Sequence, residues 1–158
     1  MTAQEIVDAL KVRFSEAILE AKTDVPQPWV RIAENRTKEI CLFLRDEPSL
    51  RMDYLSCLSG MDYNDGRLGV VYHLGSVELK HRIVLKVSVP RDNPHVQSVS
   101  RVWGTANWHE REAFDLFGII FDEHPDLRRI LLPDDWDGHP LRKDYKVQEF
   151  YHGMKVPY

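Results

Sequence analysis

The succession of hydrophobic patterns predicts an α+β fold: an antiparallel or mixed sheet with helices packed on one face, followed by a long irregular C-terminal extension. Three observations carry this. Helical periodicity opens the chain and returns near residue 96; between the two lie apolar runs of strand length separated by short turns; and beyond residue 118 periodicity fades while proline and glycine stay frequent. The 158 residues with 43% hydrophobic content suit one domain with a core of ordinary size. The expected boundaries are a single α+β domain over residues 1–143 and an extended tail over 144–158 that packs on partner polypeptides.

Taken in order, Ile6, Val7, Leu10, Phe14, Ala17, Ile18 and Ala21 recur at helical spacing, with Thr2 available as N-cap and Glu5 three residues on. One amphipathic helix is expected from Thr2 to Lys22. Pro26 and Pro28 end it, and short strands are expected at Trp29 to Ile32 and at Ile40 to Leu44, with Asp46 and Pro48 starting a second short helix. Strands follow over Leu55 to Tyr63, Gly69 to Gly75 and His81 to Val89, the first two joined by the turn Asn64-Asp65-Gly66, so they read as an antiparallel meander. In the third, Ile83, Leu85, Val87 and Val89 alternate with Arg82, Val84, Lys86 and Ser88, which puts one face on a core and one largely in water. From Val96 to Phe117 helical spacing resumes, with Gly104 and Asn107 as points of division, Ser98 or Asn107 as caps, and Gly118 placed to end the helix in a left-handed turn. The rest, Ile119 to Tyr158, is expected to be largely irregular. Its aromatics Trp136, Tyr145, Phe150, Tyr151 and Tyr158 favour a segment laid along a partner over simple disorder.

Composition excludes several function classes. A net charge of −4 with interspersed cations gives no reason to expect nucleic acid. No apolar run approaches the roughly 20 residues a bilayer demands, and no secretory leader opens the sequence, so the chain is expected in the cytoplasm. Cys41 and Cys57 sit apart within apolar segments and offer too few soft ligands for an iron–sulfur cluster or structural zinc. Phosphate-cradling glycine loops and a Gly-x-Ser-x-Gly elbow do not occur. His109-Glu110 begins like a zinc-protease helix, yet the second histidine position holds Ala113. His124, His139 and His152 stand near Asp126, Asp137 and Glu149 without a ligand spacing that a metal would demand.

The segment Glu110 to Tyr145 is the densest in ordered charge and turn chemistry. Glu110 shares the apolar face of its helix, and a buried carboxylate wants a partner. Arg111, Arg128, Arg129, Arg142 and Lys143 are the available cations, so a structural ion-pair network is expected rather than a catalytic acid.

In this segment Glu110-Arg111-Glu112, two residues, Asp115-Leu116-Phe117, six residues, His124, three residues, Arg128, one residue and Ile130-Leu131 form a pattern that resembles the signature of the thirty-kilodalton subunit family of complex I, the respiratory NADH:quinone oxidoreductase. The likeness continues through Trp136, Gly138, Pro140 and Leu141-Arg142-Lys143-Asp144-Tyr145. It implies a non-catalytic structural subunit of the hydrophilic peripheral arm, packed against the large quinone-site subunit and neighbouring iron–sulfur subunits. The complex would hold FMN and iron–sulfur clusters and use NADH and quinone, with no cofactor held by this chain. It would lie at the cytoplasmic face of the inner (plasma) membrane, bound only through the complex. Two rivals remain open: the equivalent subunit of a membrane-bound hydrogenase or other donor:quinone dehydrogenase, and a free-standing metal-dependent hydrolase using Asp115, His124 and His139.

Overall fold

The computed structural model describes residues 1–156. The first helix, α1 (Ala3–Phe14), begins at a capping box: Thr2 Oγ1 accepts the Glu5 N–H at 3.3 Å and the Glu5 carboxylate accepts the Thr2 N–H at 2.7 Å. Ile6, Val7, Leu10 and Phe14 form its buried stripe. The helix is shorter than its periodicity predicts. After a 3-10 turn at Ser15–Ala17 the chain becomes strand β1 (Ile18–Lys22), because Ile18 and Ala21 suit either period and pairing with β2 (Trp29–Ile32) decides between them.

Helix α2 (Thr37–Asp46) corrects a second expectation. The run Ile40 to Leu44 reads as a strand, yet Thr37, Ile40, Cys41 and Leu44 are buried at the spacing of three and four that marks a helix face. Asp46 therefore ends a helix instead of starting one, with the Glu47 N–H bonded to the Phe43 carbonyl.

The meander appears as expected, as β3 (Tyr54–Asp62), β4 (Arg67–Gly75) and β5 (Arg82–Pro90). One five-stranded sheet results, ordered β1-β2-β5-β4-β3, antiparallel except where β2 runs parallel to β5. Val30, Ile32, Leu58, Leu68, Val70, Tyr72, Leu74, Ile83, Leu85, Val87 and Val89 share one face by strand alternation, and all belong to the core that the three helices cover. Fully burying such side chains stabilises by about 1.5–3 kcal/mol each. Among the described residues the opposite face carries no helix.

The segment expected to be helical from Val96 is extended at first. Strand β6 (His95–Gln97) pairs in parallel with β7 (Ile120–Asp122), and the chain between them holds helix α3 (Ala106–Phe117). Neither Ser98 nor Asn107 caps α3; Thr105 occupies that position without a side-chain bond. The pairing partner of β6 lies more than twenty residues away, out of reach of any local pattern. The last helix lies against β3, and Gly60 sets the distance: a Cβ there would stand 2.5 Å from Phe117 Cδ2.

Beyond β7 the chain is irregular apart from a short hairpin of β8 (Phe150–Tyr151) and β9 (Met154–Lys155). Its turn uses His152 and Gly153, both at positive φ. Within the stretch expected as an extended tail, this hairpin folds back on the chain itself: Tyr151 donates to Asp135 at 2.7 Å and lies 5.2 Å from Trp136, centroid to centroid. Pro157 and Tyr158 of that tail lie outside the described residues.

Candidate functional site

An α-helix leaves its last four carbonyls without helical partners. In α3 each is bonded, and most of the donors come from the irregular extension. The Gly118 N–H takes Phe114 O, the Leu141 N–H takes Leu116 O, and Arg142 Nε donates to Phe117 O. The carbonyl of Asp115 accepts from His139 Nδ1 at 2.9 Å and from Arg129 Nη1 at 3.2 Å. Burial pushes the His139 pKa down, which suits a neutral ring donating through Nδ1.

The Asp115 side chain is the hub. Its Oδ2 accepts the N–H groups of Ile130, Leu131 and Leu132 at 3.0, 2.8 and 2.9 Å, and its Oδ1 pairs with Arg129 Nη1 at 2.7 Å. Burial raises its pKa, but the three backbone donors and the guanidinium outweigh burial and hold it below the usual carboxylate range. Arg129 continues to the carbonyls of Trp136 and Gly138 at 2.9 and 3.0 Å, so one ion pair ties three stretches together. Arg111, four residues before Asp115 and on its side of the helix, spends its guanidinium on the carbonyls of Arg128 and Arg129.

A second anchor lies outside the residues that the sequence pattern singles out. Asp62, at the core-facing end of β3, accepts the Lys143 N–H at 2.9 Å and the Asn64 N–H at 2.8 Å and pairs with Arg91 Nη2 at 2.5 Å. Its pKa is lowered, since these donors exceed the burial that raises it. Strand alternation carried the signal, because Asp62 follows Leu58 and Gly60 on the inner face. Asp144 reaches Arg91 at 3.3 Å. Trp136 Nε1 donates to the Tyr145 hydroxyl at 3.1 Å, and a Cβ on Gly138 would stand 3.0 Å from Tyr145 Cε2.

Glu110 corrects the expected network. Its carboxylate is fully buried and meets no arginine; Ser98 Oγ and the Val99 N–H donate to it at 2.6 Å each. Five positions separate Glu110 from Asp115, about 140° around a helix, so the arginines that gather on the Asp115 side cannot serve it. Burial raises its pKa to about 7, against the two hydrogen bonds that lower it. His124 Nε2 lies 3.8 Å away but is directed at the Asn107 carbonyl, while its Nδ1 accepts the Asp126 N–H.

Other signature residues divide by exposure. Glu112 and Lys143 are exposed, with Lys143 contributing its backbone; Arg128 pairs with Asp126 at the surface; Pro140 is half-buried. Asp115, His124 and His139 do not converge on a cavity, because each is engaged in the bonds above. Among the described residues no group of three His, Cys, Asp or Glu side chains is arranged to hold a metal ion. Burial pushes the Cys41 thiol up, away from a reactive thiolate.

The arrangement is therefore a clamp that lays residues 128–145 against the end of α3. Its inner side is used up by these bonds, while its outer side shows apolar side chains to solvent: Leu131 is 63% exposed, Leu141 50%, Val147 55%, Phe150 59% and Met154 64%. Gly118 is the tightest point of the clamp. It sits at φ 70°, and a Cβ there would stand 2.5 Å from His139 Cδ2 and 2.6 Å from Arg142 Nη2. Gly118→Ala is expected to cost about 2 kcal/mol, from left-handed strain plus two displaced caps. Urea denaturation measures it, and a loss below about 0.5 kcal/mol would mean that the caps are dispensable.

Over residues 30–151 the sequence matches the family described as respiratory-chain NADH dehydrogenase, 30 Kd subunit. An NADH-quinone oxidoreductase subunit from Chlorobium phaeobacteroides is 50% identical over 154 residues, covering 96% of this chain and 93% of that protein. The subunit of the same name from Chloroherpeton thalassium is 50% identical over 151 residues, 94% of this chain but 63% of that protein. The chain thus spans under two thirds of the length of some relatives it matches. A trypsin-resistant fragment of Nqo5 superposes with a TM-score of 0.67 at 28% identity, over 80% of this chain and 100% of the fragment. A chain of an archaeal membrane-bound sulfane sulfur reductase shares the fold, with a TM-score of 0.74 at 22% identity over 90% of this chain and 85% of that one.

Proposed function

The chain belongs to the 30-kilodalton subunit family of respiratory-chain NADH dehydrogenase, and from that membership we propose that it is a non-catalytic structural subunit in the peripheral arm of an NADH:quinone oxidoreductase. The observation that carries the structural role is the clamp. The signature residues are engaged with backbone groups of their own chain, and the ordered extension presents Leu131, Leu141, Val147, Phe150 and Met154 outward. Exposed apolar residues held on a rigid platform dock a partner without a cost for ordering the segment at the moment of binding. The partners in this reading are the large quinone-site subunit and neighbouring iron–sulfur subunits. NADH, FMN, clusters and quinone belong to those subunits, and the chain sits at the cytoplasmic face of the inner membrane through them. No helix among the described residues is long and apolar enough to cross a membrane.

The test is recovery of the tagged chain from its native membranes in mild detergent, with mass spectrometry of what accompanies it. Quinone-site, cluster-bearing and NADH-oxidising subunits together are the expected result. Hydrogenase subunits in place of the NADH-oxidising ones would overturn the donor, and a chain that comes down alone would overturn the assembly role. Deleting residues 148–158 is expected to lower that recovery about tenfold while moving the thermal midpoint of the isolated chain by less than about 2 °C, because the hairpin is held by exposed contacts to Asp135. Equal damage to both would assign the tail to the stability of the domain.

A further inference from the structure

We infer that the helix-free face of the sheet is a second docking surface, built for an acidic, extended segment of a partner polypeptide. It lies apart from the clamp, and it depends on the assembly role only in requiring that a partner exist. By strand register this face presents Lys22, Arg31, Arg67, Arg82 and Lys86; Arg31 is paired with Glu20 at 2.9 Å and Arg67 with Asp65 of the preceding turn at 2.6 Å. Lys22, Arg82 and Lys86 have no ion-pair partner among the described residues, so this face carries an excess of positive charge although the chain as a whole has a net charge of −4. Lys86 Nζ stands 4.1 Å and Lys22 Nζ 5.7 Å from the centroid of the Trp29 ring, which orders two cations side by side. Neither has a carboxylate within ion-pair reach among the described residues.

Two further features separate this face from an ordinary solvated one. Arg31 Nε, His73 Nδ1 and Ser88 Oγ, all on it, are shielded from water and have no hydrogen-bond partner. Such atoms are costly until a partner supplies their hydrogen bonds. A groove adjoins the cations at one end of the sheet. It has a volume of about 620 Å³ and is lined by Pro26, Pro28, Tyr54, His73, Arg82 and Val84 among others. By register Val84 of this groove lies beside Trp29, so a polypeptide strand seated in it would run on to the lysines ordered by that ring. Electrostatic complementarity of this sort sets the register and the rate of docking.

The experiment is an amine-acylation footprint of the full chain, free and in the assembly recovered from native membranes, with carbodiimide cross-linking of the same assembly. The expected result is at least about fivefold protection of Lys22 and Lys86 in the assembly, and zero-length links from them to Asp or Glu of another polypeptide. Lys22→Glu with Lys86→Glu should lower recovery of the partners about tenfold at unchanged thermal midpoint, while Lys22→Arg with Lys86→Arg retains it. Equal reactivity in both states overturns the proposal. So does protection without carboxylate links, or protection that disappears when lipid is stripped away, which would assign the face to a membrane surface. The footprint is read on whatever assembly is recovered, so its failure is distinct from finding other subunits than those proposed above.

Discussion

Asp115→Ala should destabilise the isolated chain by about 3–5 kcal/mol and release residues 128–145 before the sheet unfolds. The carboxylate is fully buried and satisfies three successive backbone N–H groups together with Arg129. Removing it orphans all three donors and leaves a guanidinium that is 14% exposed without its counter-charge. Damage should spread along the clamp, because Arg129 loses the anchor from which it reaches Trp136 and Gly138. Asp115→Asn should fall between the two: one amide oxygen still accepts from the backbone, but the NH₂ group faces the Arg129 donors. Urea denaturation gives the magnitude, and limited trypsin digestion gives the location, through cleavage at Arg128, Arg129, Arg142 and Lys143. A variant as resistant to trypsin as the parent chain would show that the extension is held elsewhere. The pH dependence has a definite sign: this pKa is depressed on folding, so its stabilisation is present at neutral pH and is lost as the pH falls below the ordinary value of 3.8.

Glu110 should give the opposite dependence. Its pKa rises from 4.5 to about 7 on folding, so the folded chain prefers the protonated acid. Stability from this group is complete below the unfolded value of 4.5 and is lost as the pH rises through about 7. By pH 8 the loss is on the order of 3 kcal/mol relative to pH 4. The protonated acid can return its proton to Ser98 Oγ, which in turn lies 2.8 Å from Ser100 Oγ, so the neutral state keeps its hydrogen bonds. Glu110→Gln retains an acceptor for the Val99 N–H and carries no charge; its unfolding free energy, compared with the parent from pH 4 to 8, should lack the decline. Glu110→Ala should be worse at every pH by about 2–4 kcal/mol, since Ser98 and Val99 lose their acceptor. Parallel curves for the parent and the Gln variant would show that Glu110 stays ionised in the fold.

Much of the site was readable from residues alone. Helical spacing alone puts Glu110 inside and marks Gly118 as the residue that ends α3 in the left-handed region, where it stands at φ 70°. The partner of Glu110 was not readable, because Ser98 and Val99 lie on a turn whose approach depends on β6 pairing with β7. The role of Asp62 is hidden in the sequence for a related reason. Its significance comes from Lys143, 81 positions away, and only strand alternation hinted that a carboxylate stood on the inner face.

The amino-acid sequence by itself determined the α+β class, the meander, the irregular extension and the family, because these rest on local periodicity, turn residues and a motif of fixed spacing. Tertiary structure alone decided that residues 18–22 leave α1 for a strand, that residues 37–46 coil into a helix, and that the signature charges spend themselves on backbone groups more than on one another. The physical reason is common to all three. A segment whose apolar residues fit two periods takes the one its neighbours can pair or pack, and a buried charge takes whichever donors the fold brings to it.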